Sequence, residues 1–129
     1  MKKTVSILAL TVFMIAAAGL TFGQSIDLSG TWVGETEIPD AIDPDEITMV
    51  LKKEGGEYSG KVSDTMGMFD ETECEDIEFV DNKLTFNIEA NTGDGYMRIF
   101  VTLIVEGDIL SGHWEDENGS TGKSTMRKK

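Results

Sequence analysis

One phrase returns three times along this chain at nearly even spacing. Residues 51–62 read LKKEGGEYSGKV, residues 77–88 read IEFVDNKLTFNI, and residues 103–114 read LIVEGDILSGHW. Each is an apolar run, a tight polar turn and a second run in which apolar and polar residues alternate. A period of two places one set of side chains on each face of an extended strand. The turn pairs Gly55-Gly56, Asp81-Asn82 and Gly107-Asp108 are residue types that tolerate the positive φ of a two-residue hairpin. Such a chain is confined to antiparallel β structure in which each strand lies beside the next.

The same rhythm runs through the rest of the chain. Residues 30–38 alternate with Trp32, Gly34, Thr36 and Ile38 on one face, and Pro39 and Pro44 then interrupt the pattern. Strands are predicted at 30–38, 46–53, 57–63, 76–80, 83–90, 96–106, 109–116 and 121–127. The expected fold is all-β: an eight-stranded antiparallel up-and-down meander β-barrel, with an open sandwich as the alternative. Pairing the last strand with the first would remove both sheet edges, which otherwise invite aggregation. Strand parity puts the three tight turns at one end. The longer loops fall at the other, with Asp40, Asp43, Asp45, Asp70, Glu71, Glu73, Asp94 and Glu117. Loops on a rigid scaffold are the usual seat of binding.

The chain opens with Met1-Lys2-Lys3, an apolar run over residues 5–15 and small residues at Ala16-Ala17-Ala18 and Thr21-Phe22-Gly23. That order is the one a secretory signal peptide has, and the apolar run is too short to span a bilayer. Residues 1–23 therefore read as a signal peptide and residues 25–129 as one exported domain, periplasmic or secreted, with no stable membrane insertion after cleavage. The chain has 24 Asp and Glu against 11 Lys and Arg. Lys2 and Lys3 depart with the leader, leaving an acidic protein. Phosphate backbones and anionic lipid surfaces repel such a chain, so nucleic acid is not an expected partner. Cys74 is the sole cysteine, which rules out an intrachain disulfide. Its neighbours Glu73, Glu75 and Asp76 should raise the thiol pKa, the wrong direction for a nucleophile.

Gly30-Thr31-Trp32 near the start of the exported part, together with Arg127 in the final strand, is similar to the lipocalin and calycin pattern. In that pattern a Gly-x-Trp opens the first strand, and an arginine of the last strand lies across the indole. The phrase GDILSGHW at residues 107–114 also resembles repeats in small lipocalin-like barrels of bacterial secreted proteins. The likeness covers most of residues 28–128. It implies a structural role for Gly30, Trp32 and Arg127, and a barrel whose open mouth takes a ligand. A barrel of eight strands has room for its own side chains or for one small ligand. The predicted inward set, which includes Trp32, Met49, Phe86 and Trp114, is bulky enough to fill it, so a packed core and a pocket both stand as expectations.

Met66, Met68 and Phe69 form an apolar cluster without strand period in a mouth loop, suited either to line a pocket or to cap the core. The expected ligand-binding residues are Trp32, Tyr58, Met66, Met68, Phe69, Phe86 and Trp114, with Ile42 at the entrance. The acidic residues 70–76, with Asp40, Asp43, Asp45 and Glu46, suggest weak calcium binding, although no spacing matches a calcium loop. His113 is the lone histidine and is predicted to face outward, without the companions a zinc site needs. GKST at residues 122–125 lacks the glycine and the following helix of a phosphate loop. The expected function is non-enzymatic binding of a small apolar or amphipathic ligand, with no cofactor and no metal. The alternative is a structural or protein-interaction domain with a filled core, acting through its acidic loops or through Phe100 and Ile104 on the outer face.

Overall fold

The structure, a computed structural model, describes residues 26–129. The predicted signal peptide at residues 1–23 lies outside the described residues. The described chain is all-strand: β1 (Gly30–Thr36), β2 (Asp45–Glu54), β3 (Glu57–Asp64), β4 (Thr72–Glu73), β5 (Glu75–Val80), β6 (Lys83–Asn91), β7 (Tyr96–Glu106), β8 (Ile109–Asp116) and β9 (Thr121–Lys128). All pairings are antiparallel and form one sheet in the order β4-β3-β2-β1-β9-β8-β7-β6-β5. The first strand pairs with the last, Gly34 opposite Met126, and the sheet curls into a nearly closed up-and-down barrel.

The strand number differs from expectation: nine, not eight. The extra strand arises because the segment before β5 serves both open edges. Thr72 and Glu73 pair with Val62 and Lys61 of β3. Cys74 N–H still donates to Gly60 O on that side, at 2.9 Å. One residue later Glu75 pairs with Asn87 of β6. The register then shifts between Glu75 and Glu78, and Asp76 takes a φ of 55°. This is a bulge, which bends a strand and re-aims it. A strict alternation rule misses it, because Asp76 spends a residue without advancing the pairing.

Below that crossing, β3 and β5 are not hydrogen-bonded to one another, and side chains close the seam. Tyr58 and Phe79 meet edge to face with centroids 6.2 Å apart. Tyr58 Oη accepts the Leu28 N–H at 3.0 Å. The segment before β1 thus crosses the tight-turn end, and Leu28 is fully buried there. The Trp32 indole N–H donates to Leu28 O at 2.9 Å. Trp32, Leu51, Leu84, Leu103 and Leu110 are each at most 1 % exposed and fill this half of the barrel.

Curvature is carried where strands pass closest. A Cβ on Gly34 would come within 1.9 Å of Thr125 O, and one on Gly112 within 1.9 Å of Thr102 O. Only glycine lets the backbones approach so closely, and such positions let a sheet turn the corners that closure demands.

Arg127 does not lie over Trp32. In β9 Gly122, Ser124 and Met126 face inward, so Arg127 faces out and is exposed. The cation over the indole is Lys128, whose Nζ sits 5.7 Å from the ring centroid and donates to Asp27 O at 3.2 Å. A Cβ on Gly30 would stand 3.0 Å from Lys128 Cε, so Gly30 makes the space for that side chain. The inward parity of Met126 already assigns the next inward place to Lys128.

Candidate functional site

At the loop-rich end the barrel interior is not filled. A cavity of about 180 Å³ lies between the loops and the packed half. Ile47 and Met49 of β2, Phe86 and Ile88 of β6, Ile99 and Val101 of β7 and Met126 of β9 form its walls. Those residues point inward because each strand alternates, as the buried-exposed pattern of β7 from Ile99 to Val105 shows.

The roof is the loop between β3 and β4, and two carboxylates shape it. Asp64 Oδ1 accepts the backbone N–H groups of Gly67 (3.2 Å) and Phe69 (2.9 Å), and its Oδ2 accepts that of Met68 (3.3 Å). Asp45 Oδ1 accepts the Thr65 hydroxyl and the Met66 N–H, both at 3.1 Å. From the far side, Asn91 N–H donates to Met68 O at 2.9 Å. The loop is thereby folded so that Met68 and Phe69 line the cavity, while Met66 stays outside at 46 % exposure. Phe69 is buried, so the cluster caps the interior and lines it at once.

A second loop is tied down by a wall residue. Trp114 lines the cavity, and its indole N–H donates to Glu37 O at 3.0 Å. Glu37 N–H in turn donates to Lys123 O at 2.8 Å. A Cβ on Gly122 would meet Trp114 Nε1 at 2.7 Å, so that glycine admits the indole.

Few polar residues line this apolar space: Thr36, Thr92, Asp116, Ser120 and Ser124, with Asp45 buried nearby but not lining it. Thr36 on β1 and Ser124 on β9 line it with their hydroxyls 2.6 Å apart. Asp116 at the end of β8 also lines it and is 8 % exposed. Asp45 at the start of β2 is fully buried opposite Thr36, and its Oδ2 has no hydrogen-bond partner. Burial and the neighbouring Asp64 carboxylate push the Asp45 pKa up to about 6. Water would otherwise stabilise its charge, and here none of its surface is wet.

The predicted binding residues therefore separate. Met68, Phe69, Phe86 and Trp114 come together around the cavity. Trp32 and Tyr58 belong to the closed end, Met66 lies outside, and Ile42 is 99 % exposed and does not line the cavity, although Ile38 and Pro39 of the same loop do. Sequence reasoning missed Met97, Met126, Thr36, Ser124 and Asp116 as wall residues. Strand parity signals Thr36, Ser124 and Met126. Met97 is signalled less clearly, because β7 is apolar on both faces.

His113 is exposed on β8, as expected. Cys74 is a half-buried residue at the β4–β5 corner, and burial pushes its thiol up to about 12. The direction is the expected one, but desolvation causes it, not the acidic neighbours. Among the described residues no three His, Cys, Asp or Glu side chains converge as metal ligands. Asp45 and Asp64 direct oxygens to the roof loop instead. Comparison with protein-family models, with curated proteins and with solved structures returns no match.

Proposed function

We propose that this chain is an exported, non-enzymatic, lipocalin-like barrel of bacterial secreted type that holds one small apolar or amphipathic molecule in its mouth cavity. The observation that carries the reading is the cavity itself: about 180 Å³ of apolar space beneath a roof of Met68 and Phe69. An engineered protein cavity of about 150 Å³ with Leu, Ile and Phe walls stays dry and takes up benzene. The ligand is thus of single-ring or short-chain size, and a long acyl chain would fit only by its tip. Methionine walls suit such a guest, since the unbranched thioether adapts to shape at little cost. Export rests on the leader at residues 1–23, and places the protein in the periplasm or outside the cell.

Native mass spectrometry of the exported protein tests the reading, together with thermal melts against toluene, benzyl alcohol and short-chain alcohols. A bound small mass, or a midpoint that rises with ligand concentration, is the expected outcome. A bare monomer that none of these stabilises would instead favour a structural or protein-interaction domain. Melts with calcium and with chelator address weak calcium binding in the same plate.

A further inference from the structure

The cavity has two unlike sides. Its apolar side is built by β6, β7 and the roof loop, with Phe86, Ile88, Ile99 and Met68. Its other side carries buried polar residues at two separate places among apolar ones: the paired Thr36 of β1 and Ser124 of β9, and Asp116 at the loop end of β8, level with Ser120 and so four residues along the chain from Ser124, while Asp45 is buried beside Thr36 without lining the cavity. Two of these are carboxylates. Neither is paired with a cation, because both ion pairs among the described residues belong to Arg98 on the outer face, with Glu75 and Glu89.

Buried carboxylates without a cation are costly, since they surrender hydration without a Coulombic return. Asp116 Oδ1 accepts the N–H groups of Asn118 and Ser120, both at 2.9 Å, which fixes the carboxylate at the cavity wall. Its Oδ2 accepts none of the described hydrogen bonds. Asp45 Oδ2 is buried and unpartnered. Around them the mouth loops carry exposed Asp40, Asp43, Asp94 and Glu117, and the full chain bears a net charge of −13. A one-signed mouth with low-dielectric walls concentrates ions of the opposite sign.

We propose that the molecule held in the mouth cavity is cationic: a small amine whose ammonium group lies against the Asp116 carboxylate, with its apolar body against Phe86, Ile88 and Met68. The inference rests on the ligand-binding reading and narrows it. An ammonium supplies the donor that Asp116 Oδ2 lacks, whereas a fatty acid or other organic anion brings like charge to that carboxylate.

Three compounds of matched size separate the possibilities: benzylamine, benzyl alcohol and benzoate, measured by calorimetry and thermal shift at pH 7.5 in low salt. Benzylamine is expected to bind at least tenfold tighter than benzyl alcohol, with benzoate weakest. In Asp116→Asn, whose side-chain oxygen still accepts the Asn118 and Ser120 amides, the amine-to-alcohol ratio is expected to fall to within twofold. Raising the salt should shrink the same ratio in the unaltered protein. Equal affinities for amine and alcohol, or tighter benzoate, would overturn the cationic assignment and leave the binding reading standing. If none of the three binds, both fall together.

Discussion

The two ends of the barrel are made by the same strands and the same alternation, yet they are built differently. At the closed end large side chains fill the interior, and the segment carrying Leu28 is drawn across them by Tyr58 and the Trp32 indole. At the mouth, carboxylates hold loops over a space that side chains do not fill. One end trades polar groups for packing, and the other uses polar groups to keep a gap. The first gives the barrel its stability. The second leaves space beside the packed core that side chains do not occupy.

The largest expected effect is on packing. Trp32→Ala should cost about 3–5 kcal/mol of unfolding free energy, the usual range for a buried aromatic. Phe69→Ala, bordering space already unfilled, should cost no more than about 2 kcal/mol, since it forfeits fewer contacts. Urea titration checks both, and equal losses would abolish the distinction between the ends.

The next effect is electrostatic and opposite in sign at the two ends. Asp45 titrates near 6 in the fold against an ordinary 3.8. The folded state therefore holds a proton that the unfolded chain has released. Its contribution to stability is present below about pH 4 and is lost as pH rises through about 6. Asp45→Asn keeps the acceptor for Thr65 and Met66 and should stabilise the protein at pH 7.5 while flattening its difference curve against the unaltered chain. Asp27, at the closed end, is held below its usual value by the Ser29 hydroxyl and N–H, with help from Lys53 and Lys128. Its contribution is present above pH 4 and lost as pH falls below it, so Asp27→Asn should matter only at the higher pH. Melts from pH 3 to 8 check both signs.

The smallest effect concerns the cation over Trp32. Lys128→Ala should cost about 0.5–1 kcal/mol, the range for a partly exposed cation on an aromatic face. Arg127→Ala should stay within about 0.5 kcal/mol, as an outward surface residue does. The reverse order would restore the arginine to the role that the lipocalin resemblance implied.

Much of the barrel was legible residue by residue. Leu84, Phe86 and Ile88 alternate without a break and are buried as expected, and β1 closes on β9. The three tight turns lie at the predicted positions, Asp81 and Asn82 both with positive φ. The start of β4 was not legible, because Thr72 and Glu73 have no apolar alternation and pair only through their backbone. The site was half legible. Phe86 and Trp114 are inward strand residues and were found by parity. Met66 and Met68 are indistinguishable by composition, and only the hydrogen bonds their N–H groups donate to Asp45 and Asp64 decide which of them turns in.

The order of apolar and polar residues alone determined that this chain is a run of antiparallel hairpins with one end of tight turns and one of loops. Period two is a property of the extended backbone and needs no partner to be expressed. Tertiary structure decided how the seam closes, which cation reaches Trp32, and that the mouth half keeps a cavity. Each of those depends on distances between residues far apart in the chain, where a bulge at Asp76 or a missing Cβ at Gly34 changes what can touch.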